Sequence, residues 1–310
     1  MQISILLAQQ IAQLFLILIM GYAVVKAGLL KASDSRVLSV VMVYLVTPCV
    51  IINAFQIDDT PEIRKGLLYS MAIAAAIHVV LLVLSALLSR PLKLDDVEQV
   101  NVIYSNAAAL VIPLVKALMG DAYVIYSCAF IIVQLVLLWT HASSLLQGSS
   151  ALDWKKVLTN INMIAIAAGA LLYWFRVVLP APLQNTMSTV GNMMGPMGML
   201  LAGMAIAEKP LREVFCTRRN YLPTVLRLVV CPLVVLVLLW VCHASSWVAD
   251  GKNILMTVYL AAITPACATV TSMAQLYDRD AAHSSALYVL TTLLSIVSMP
   301  VMIGLFDLLL

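Results

Sequence analysis

Charges in this chain fall in short clusters separated by long stretches that hold none. Runs free of Lys, Arg, Asp and Glu, each long enough to cross a bilayer, occupy residues 1–25, 37–57, 66–89, 99–115, 122–152, 157–175, 177–207, 228–249, 253–277 and 281–306. A hydrocarbon core about 30 Å thick is crossed by roughly 20 apolar residues in a helix, with a range of about 17–25. Inside that core every backbone N–H and C=O must pair within the protein, so an apolar run of this length predicts helix. The pattern predicts ten transmembrane helices and no soluble domain. The first run reads as a span, because residues 1–25 show neither a basic leading region nor a clear small-residue cleavage site.

Ten spans divide into two halves of five, and an odd number per half inverts one half relative to the other. Prolines recur in a way that supports this. Pro48 and Pro196 fall in the second and seventh runs, and Pro113 and Pro265 in the fourth and ninth, at offsets of 148 and 152. The expected halves are residues 1–150 and 151–310, together forming one membrane domain. Basic residues between the runs are distributed unevenly, twelve on one side against five on the other. By the positive-inside rule this places both termini on the outer face of the plasma (inner) membrane.

The fourth and ninth runs carry the candidate chemistry. The fourth leads from Ser105-Asn106 through small residues to Pro113, and the ninth sets Thr264, Pro265, Thr269 and Thr271 among alanines. Proline removes a backbone donor and clashes with the preceding turn. A broken helix is tolerated in a membrane only where it is packed in protein or lines a watery cavity. Two such breaks at matching places point to a substrate site, and the N-terminal ends of the half-helices suit an anionic group. Asn106 and Thr264 are the expected polar ligands, with Ser105, Thr269 and Thr271 beside them. The competing reading is that each proline only kinks a packed helix.

Composition narrows the class further. Hydrophobic residues make up 63% and charged residues 11% of the chain, against about 25% charged in soluble domains. A net charge of +3 with no basic tract gives no footing for nucleic acid. The six cysteines form no CxxC pair, which argues against a metal or disulfide framework, and no cofactor motif is present. No Asp or Glu lies mid-run, so carboxylate-based proton coupling has no obvious seat; sodium, which needs only oxygens, stays open, as does movement driven by the membrane potential alone. Arg227 and Lys116 read as cations snorkelling to an interface, with attraction of an anion as the alternative. His78 and His141 read as neutral histidines held by neighbouring helices, with a proton relay as the alternative. Gly191 and Gly195 form a GxxxG that serves either packing within the chain or a homodimer seam.

Several motifs in order resemble the auxin efflux carrier family: Gly21-Tyr22 with Lys26-Ala-Gly28, Pro48 with Asn53 in the second run, Ser105-Asn106 followed by Ile112-Pro113-Leu114 and Gly120, Gly195-Pro196 in the seventh run, and Arg227 with Pro232. The resemblance covers nearly the whole chain and is to compact, bacterial PIN-like members that lack a long central loop. It implies an all-α fold of two inverted five-helix repeats with broken, crossing fourth and ninth helices, as in bile-acid symporters and sodium/proton antiporters. It also implies transport of a small organic anion by alternating access, and carries Asn106, Pro113 and Pro265 over as crossover residues. Ser105 stands where the family usually has glycine, and Thr264 precedes Pro265 where plant members often have asparagine. An enzyme is not expected, since neither HExxH nor a GxSxG elbow is present. A channel and a ligand sensor are the rival classes.

Overall fold

The computed structural model describes residues 2–56, 60–148, 158–159, 161–207, 211–248 and 250–310. The described residues form α1 (Gln2–Lys26), α2 (Ala32–Asn53), α3 (Pro61–Leu92), α4 (Asp96–Ile103), α5 (Ala107–Met119), α6 (Ala122–Gln147), α7 (Ile161–Trp174), α8 (Ala181–Ile206), α9 (Arg218–Val241), α10 (Gly251–Ile263), α11 (Ala268–Leu276) and α12 (Ala281–Leu309). Among them there is no strand, only one isolated β-bridge. Six helices (α2, α3, α6, α8, α9 and α12) are long and apolar enough to cross a membrane, and α7, α10 and the second half of α1 are shorter apolar helices. The boundary expected near residue 150 falls outside the described residues.

These helices keep apolar side chains on their outer faces. Leu87 on α3 and Val297 on α12 are each 68% exposed, and Leu68, Val237 and Val301 are also exposed. Their inner faces hold hydroxyls and amides such as Ser70, Gln134, Thr224 and Thr291. A soluble bundle would reverse that arrangement; apolar outside and polar inside suits a lipid solvent.

Local signals set the helix ends. Thr60 caps α3 by accepting from Ile63 N–H at 3.3 Å, with Pro61 in the first turn. Asp95 and Glu98 form a reciprocal capping box on α4. Two internal prolines are absorbed by π turns. Thr47 N–H bonds back five residues to Met42 just before Pro48, and Cys231 N–H to Leu226 just before Pro232. The widened turn accommodates the missing N–H without ending α2 or α9. Close helix packing is built on glycine in one place: a Cβ at Gly203 on α8 would collide with the Leu18 carbonyl of α1, and one at Gly21 with the Leu200 carbonyl.

One expectation needs correction. Pro113 does not mark a helix break, for α5 runs through it; its side chain lies outside the described residues. The interruption lies earlier, at Tyr104 to Asn106, where chain and side-chain partners from elsewhere satisfy the unwound backbone. Pro265, in contrast, does sit in the gap between α10 and α11.

Candidate functional site

The two interrupted helices meet at their gaps. Ser105 and Ala266 form an antiparallel bridge. Asn106 N–H donates to Pro265 O at 2.8 Å, and Cys267 N–H to Tyr104 O at 3.1 Å. The second gap follows from local chemistry, since the residue before a proline is pushed out of the α region, and Thr264 is extended with φ −61° and ψ 155°. At the first gap Asn106 starts α5: its carbonyl takes the first intrahelical bond, from Leu110 N–H at 3.1 Å. Asparagine is among the residues favoured there.

Each gap is pinned by a side chain from the second helix after it. Gln134 on α6 accepts from Ser105 N–H (3.0 Å) and Ser105 Oγ (2.7 Å), and donates to Ser105 O (2.8 Å). Thr291 on α12 accepts from Ala266 N–H at 3.1 Å. Three buried backbone groups thus receive partners that a helix would otherwise supply.

Four helix ends converge here, and their charges are treated differently. The C-terminal ends of α4 and α10 leave carbonyls without intrahelical donors and carry partial negative charge. Arg227, on the π turn of α9 and 1% exposed, serves both. Its guanidinium donates to Val102 O and Ile103 O at 3.1 Å, to Thr264 O at 2.8 and 3.0 Å, and to Ala262 O. The arginine expected to snorkel is therefore buried in the centre, because only a five-donor planar cation can satisfy two converging helix ends together.

The expected site residues divide accordingly. Asn106, Ser105 and Pro265 adjoin at the bridge, with Asn106 Nδ2 3.4 Å from Tyr288 Oη. Thr264 is buried beside them, but its hydroxyl turns back to Ala261 O at 3.0 Å. Thr269 is buried on the first turn of α11. Thr271 belongs to a different group, with Ser284 at 3.1 Å. Sequence reading missed Gln134, Tyr288 and Thr291. The signal for Gln134 is an amide in the middle of an apolar run. Of the histidines, His78 Nδ1 bonds its own helix at Ala74 O (2.7 Å), and His141 Nδ1 lies 3.0 Å from Tyr104 Oη.

At the first turn of α4, outside the apolar run, buried Glu98 receives Arg219 from α9 bidentately (Nε to Oε1 at 2.6 Å) and lies 3.6 Å from His283. Burial alone would raise its carboxyl. Hydrogen bonds from His283, Arg219 and the Asp95 backbone outweigh that and hold it down at about 2. A lowered carboxylate contributes stability that is full above its ordinary value of 4.5 and is lost as pH falls toward 2. The thermal midpoint should fall on acidification from pH 5 to pH 3, and Glu98→Gln should lose that part of the slope. An unchanged acid slope in the variant would refute the assignment.

An all-helical bundle with a lipid-compatible surface and two interrupted helices joined at their gaps defines the class as an integral membrane protein. The family model described as membrane transport protein matches residues 6–152 and 149–303, and the chain belongs to that family, the auxin efflux carrier or PIN-like family of membrane transporters. No curated protein gave a significant match.

Proposed function

We propose that this chain carries a small organic anion, a carboxylate, across the plasma (inner) membrane by alternating access. In this reading ten spans form two inverted repeats of five, both termini face outward, and substrate binds where the fourth and ninth spans cross. The observation that carries it is the unequal treatment of the four helix ends. Arg227 neutralises the two C-terminal ends. The N-terminal ends of α5 and α11 keep their positive partial charge, with Val270 N–H in the first turn of α11 held by Cys267 O at 3.0 Å. What remains at the crossing is a set of buried polar groups in a positive field, which suits a carboxylate. Asn106, Ser105, Thr264, Thr269 and the backbone around Pro265 offer the polar contacts. Pro113 leaves one α5 carbonyl without its helical donor in this reading, Thr271 has a separate role, and no cofactor is needed.

The test is charge movement in proteoliposomes on a solid support, after rapid addition of mono- and dicarboxylates. A saturable current is expected for at least one anion. Asn106→Ala should weaken it, and Asn106→Asp, which sets a like charge in the site, should abolish it. Silence across the panel from folded protein would overturn electrogenic anion transport.

A further inference from the structure

About one turn from the bridge lies a second buried polar group that the carrier reading does not use. Asn101 on α4 is 2% exposed, and Thr271 on α11 and Ser284 on α12 are fully buried. Asn101 Nδ2 donates to Val97 O at 2.8 Å and to Ser284 Oγ at 3.1 Å, and Ser284 Oγ lies 3.1 Å from Thr271 Oγ1. The Val97 carbonyl fixes the amide orientation, because the reverse would set two acceptors face to face. Asn101 Oδ1 is left buried with no hydrogen-bond partner. Such an oxygen costs about 1–3 kcal/mol unless something satisfies it.

We propose that Asn101 Oδ1, Ser284 Oγ and Thr271 Oγ1 are ligands of a sodium ion bound between α4, α11 and α12. Hard cations take oxygen ligands, and bonds of about 2.3–2.6 Å place neighbouring ligands roughly 3–3.5 Å apart. The two hydroxyl oxygens already stand at that separation. An amide and two hydroxyls carry no formal charge, which selects a monovalent ion over calcium, whose sites are built on carboxylates. Asn101 lies in the last turn of α4, just before the Val102 and Ile103 carbonyls that Arg227 holds. The opposing positive end of α12 is offset by its Asp280 cap, which accepts from His283 N–H at 2.8 Å. Asp95, Glu98 and His283 also converge nearby, but the Arg219 guanidinium already holds both Glu98 oxygens, so the cation does not belong there.

The position explains what sodium would do. Ser284 is one helical turn from Tyr288, whose hydroxyl meets Asn106, and Asn101 precedes Asn106 by five residues on the same interrupted segment. A cation tying α4 to α11 and α12 holds Asn106 in place, and by linkage the substrate tightens sodium equally. That coupling rests on the carrier reading; the sodium site itself does not.

The experiment is thermal unfolding of the purified 310-residue chain in NaCl, KCl and choline chloride at equal ionic strength, without substrate. A saturable rise in Tm specific to sodium is expected, because a ligand that binds only the folded state stabilises it. Asn101→Ala and the isosteric Thr271→Val should abolish the rise, and Asn106→Ala should keep it. No sodium-specific rise, or one that survives in both Asn101→Ala and Thr271→Val, overturns the site. If Asn101→Ala fails to fold, Thr271→Val and Ser284→Ala, which each remove one oxygen, decide the matter. Sodium stabilisation without any carboxylate current would sink the anion reading and leave the sodium site standing. Currents without sodium stabilisation would do the reverse.

Discussion

Arg227→Met should yield little folded protein, with the lowest thermal midpoint of any single substitution in the bundle. Methionine fills much of the volume but donates nothing. The carbonyls of Val102, Ile103, Ala262 and Thr264 would then be buried without these donors. Each orphaned buried acceptor costs about 1–3 kcal/mol, so four cost on the order of 4 kcal/mol or more. That is a large fraction of the roughly 5–15 kcal/mol that separates folded from unfolded states in ordinary domains. Two negative helix ends would also face each other without a cation between them. Arg227→Lys keeps the charge but presents a point cation in place of a planar fork, and it should fall between the two. The check is the yield of monodisperse protein and the Tm in detergent for all three proteins. A Tm for Arg227→Met equal to that of the parent would refute the capping role.

Gln134→Leu should be the next most damaging change, and its effect should reach transport as well as stability. Leucine matches the glutamine in size but leaves Ser105 N–H and C=O without their partners. Those two groups alone cost about 2–6 kcal/mol. Asn106 is the next residue, so a shift of the extended segment displaces it. A displacement that costs about 1.4 kcal/mol in substrate binding reads as roughly ten-fold in affinity. Gln134→Glu keeps the acceptor for Ser105 but sets a carboxylate against Ser105 O, and should be intermediate in Tm. The informative comparison is half-saturating anion concentration against Tm. If Gln134→Leu lowers Tm but leaves half-saturation unchanged, the glutamine holds the fold without positioning the site.

Much of the bundle was legible because a membrane leaves the backbone few choices. Each charge-free run had to be helix, and among the described residues every run contains helix, with six helices long and apolar enough to cross a membrane. The gap at Pro265 was legible too, since proline acts on its immediate neighbours and drives Thr264 out of the helix. The first gap was not. Pro113 invited the same inference, yet α5 continues through it, as helices in a packed membrane protein can when neighbours make good the lost bond. The actual interruption at Tyr104 to Asn106 has no proline. It depends on Gln134 and on the backbone of Pro265 and Cys267, partners that no local pattern identifies.

Arg227 shows the same division. In sequence it lies at the edge of an apolar run, next to a proline-bearing segment, and the interface is the ordinary place for such a residue. Its carbonyl partners lie 35–37 residues away on one side and 124–125 on the other. Hydropathy and charge placement determine which segments are helical and that lipid is their solvent, because those choices are settled by each residue's own transfer energy and by bonding within a turn. Which polar side chain meets which helix end is settled only when distant segments pack. Tertiary contact alone placed Arg227, Gln134 and Asn101 at the centre of this protein.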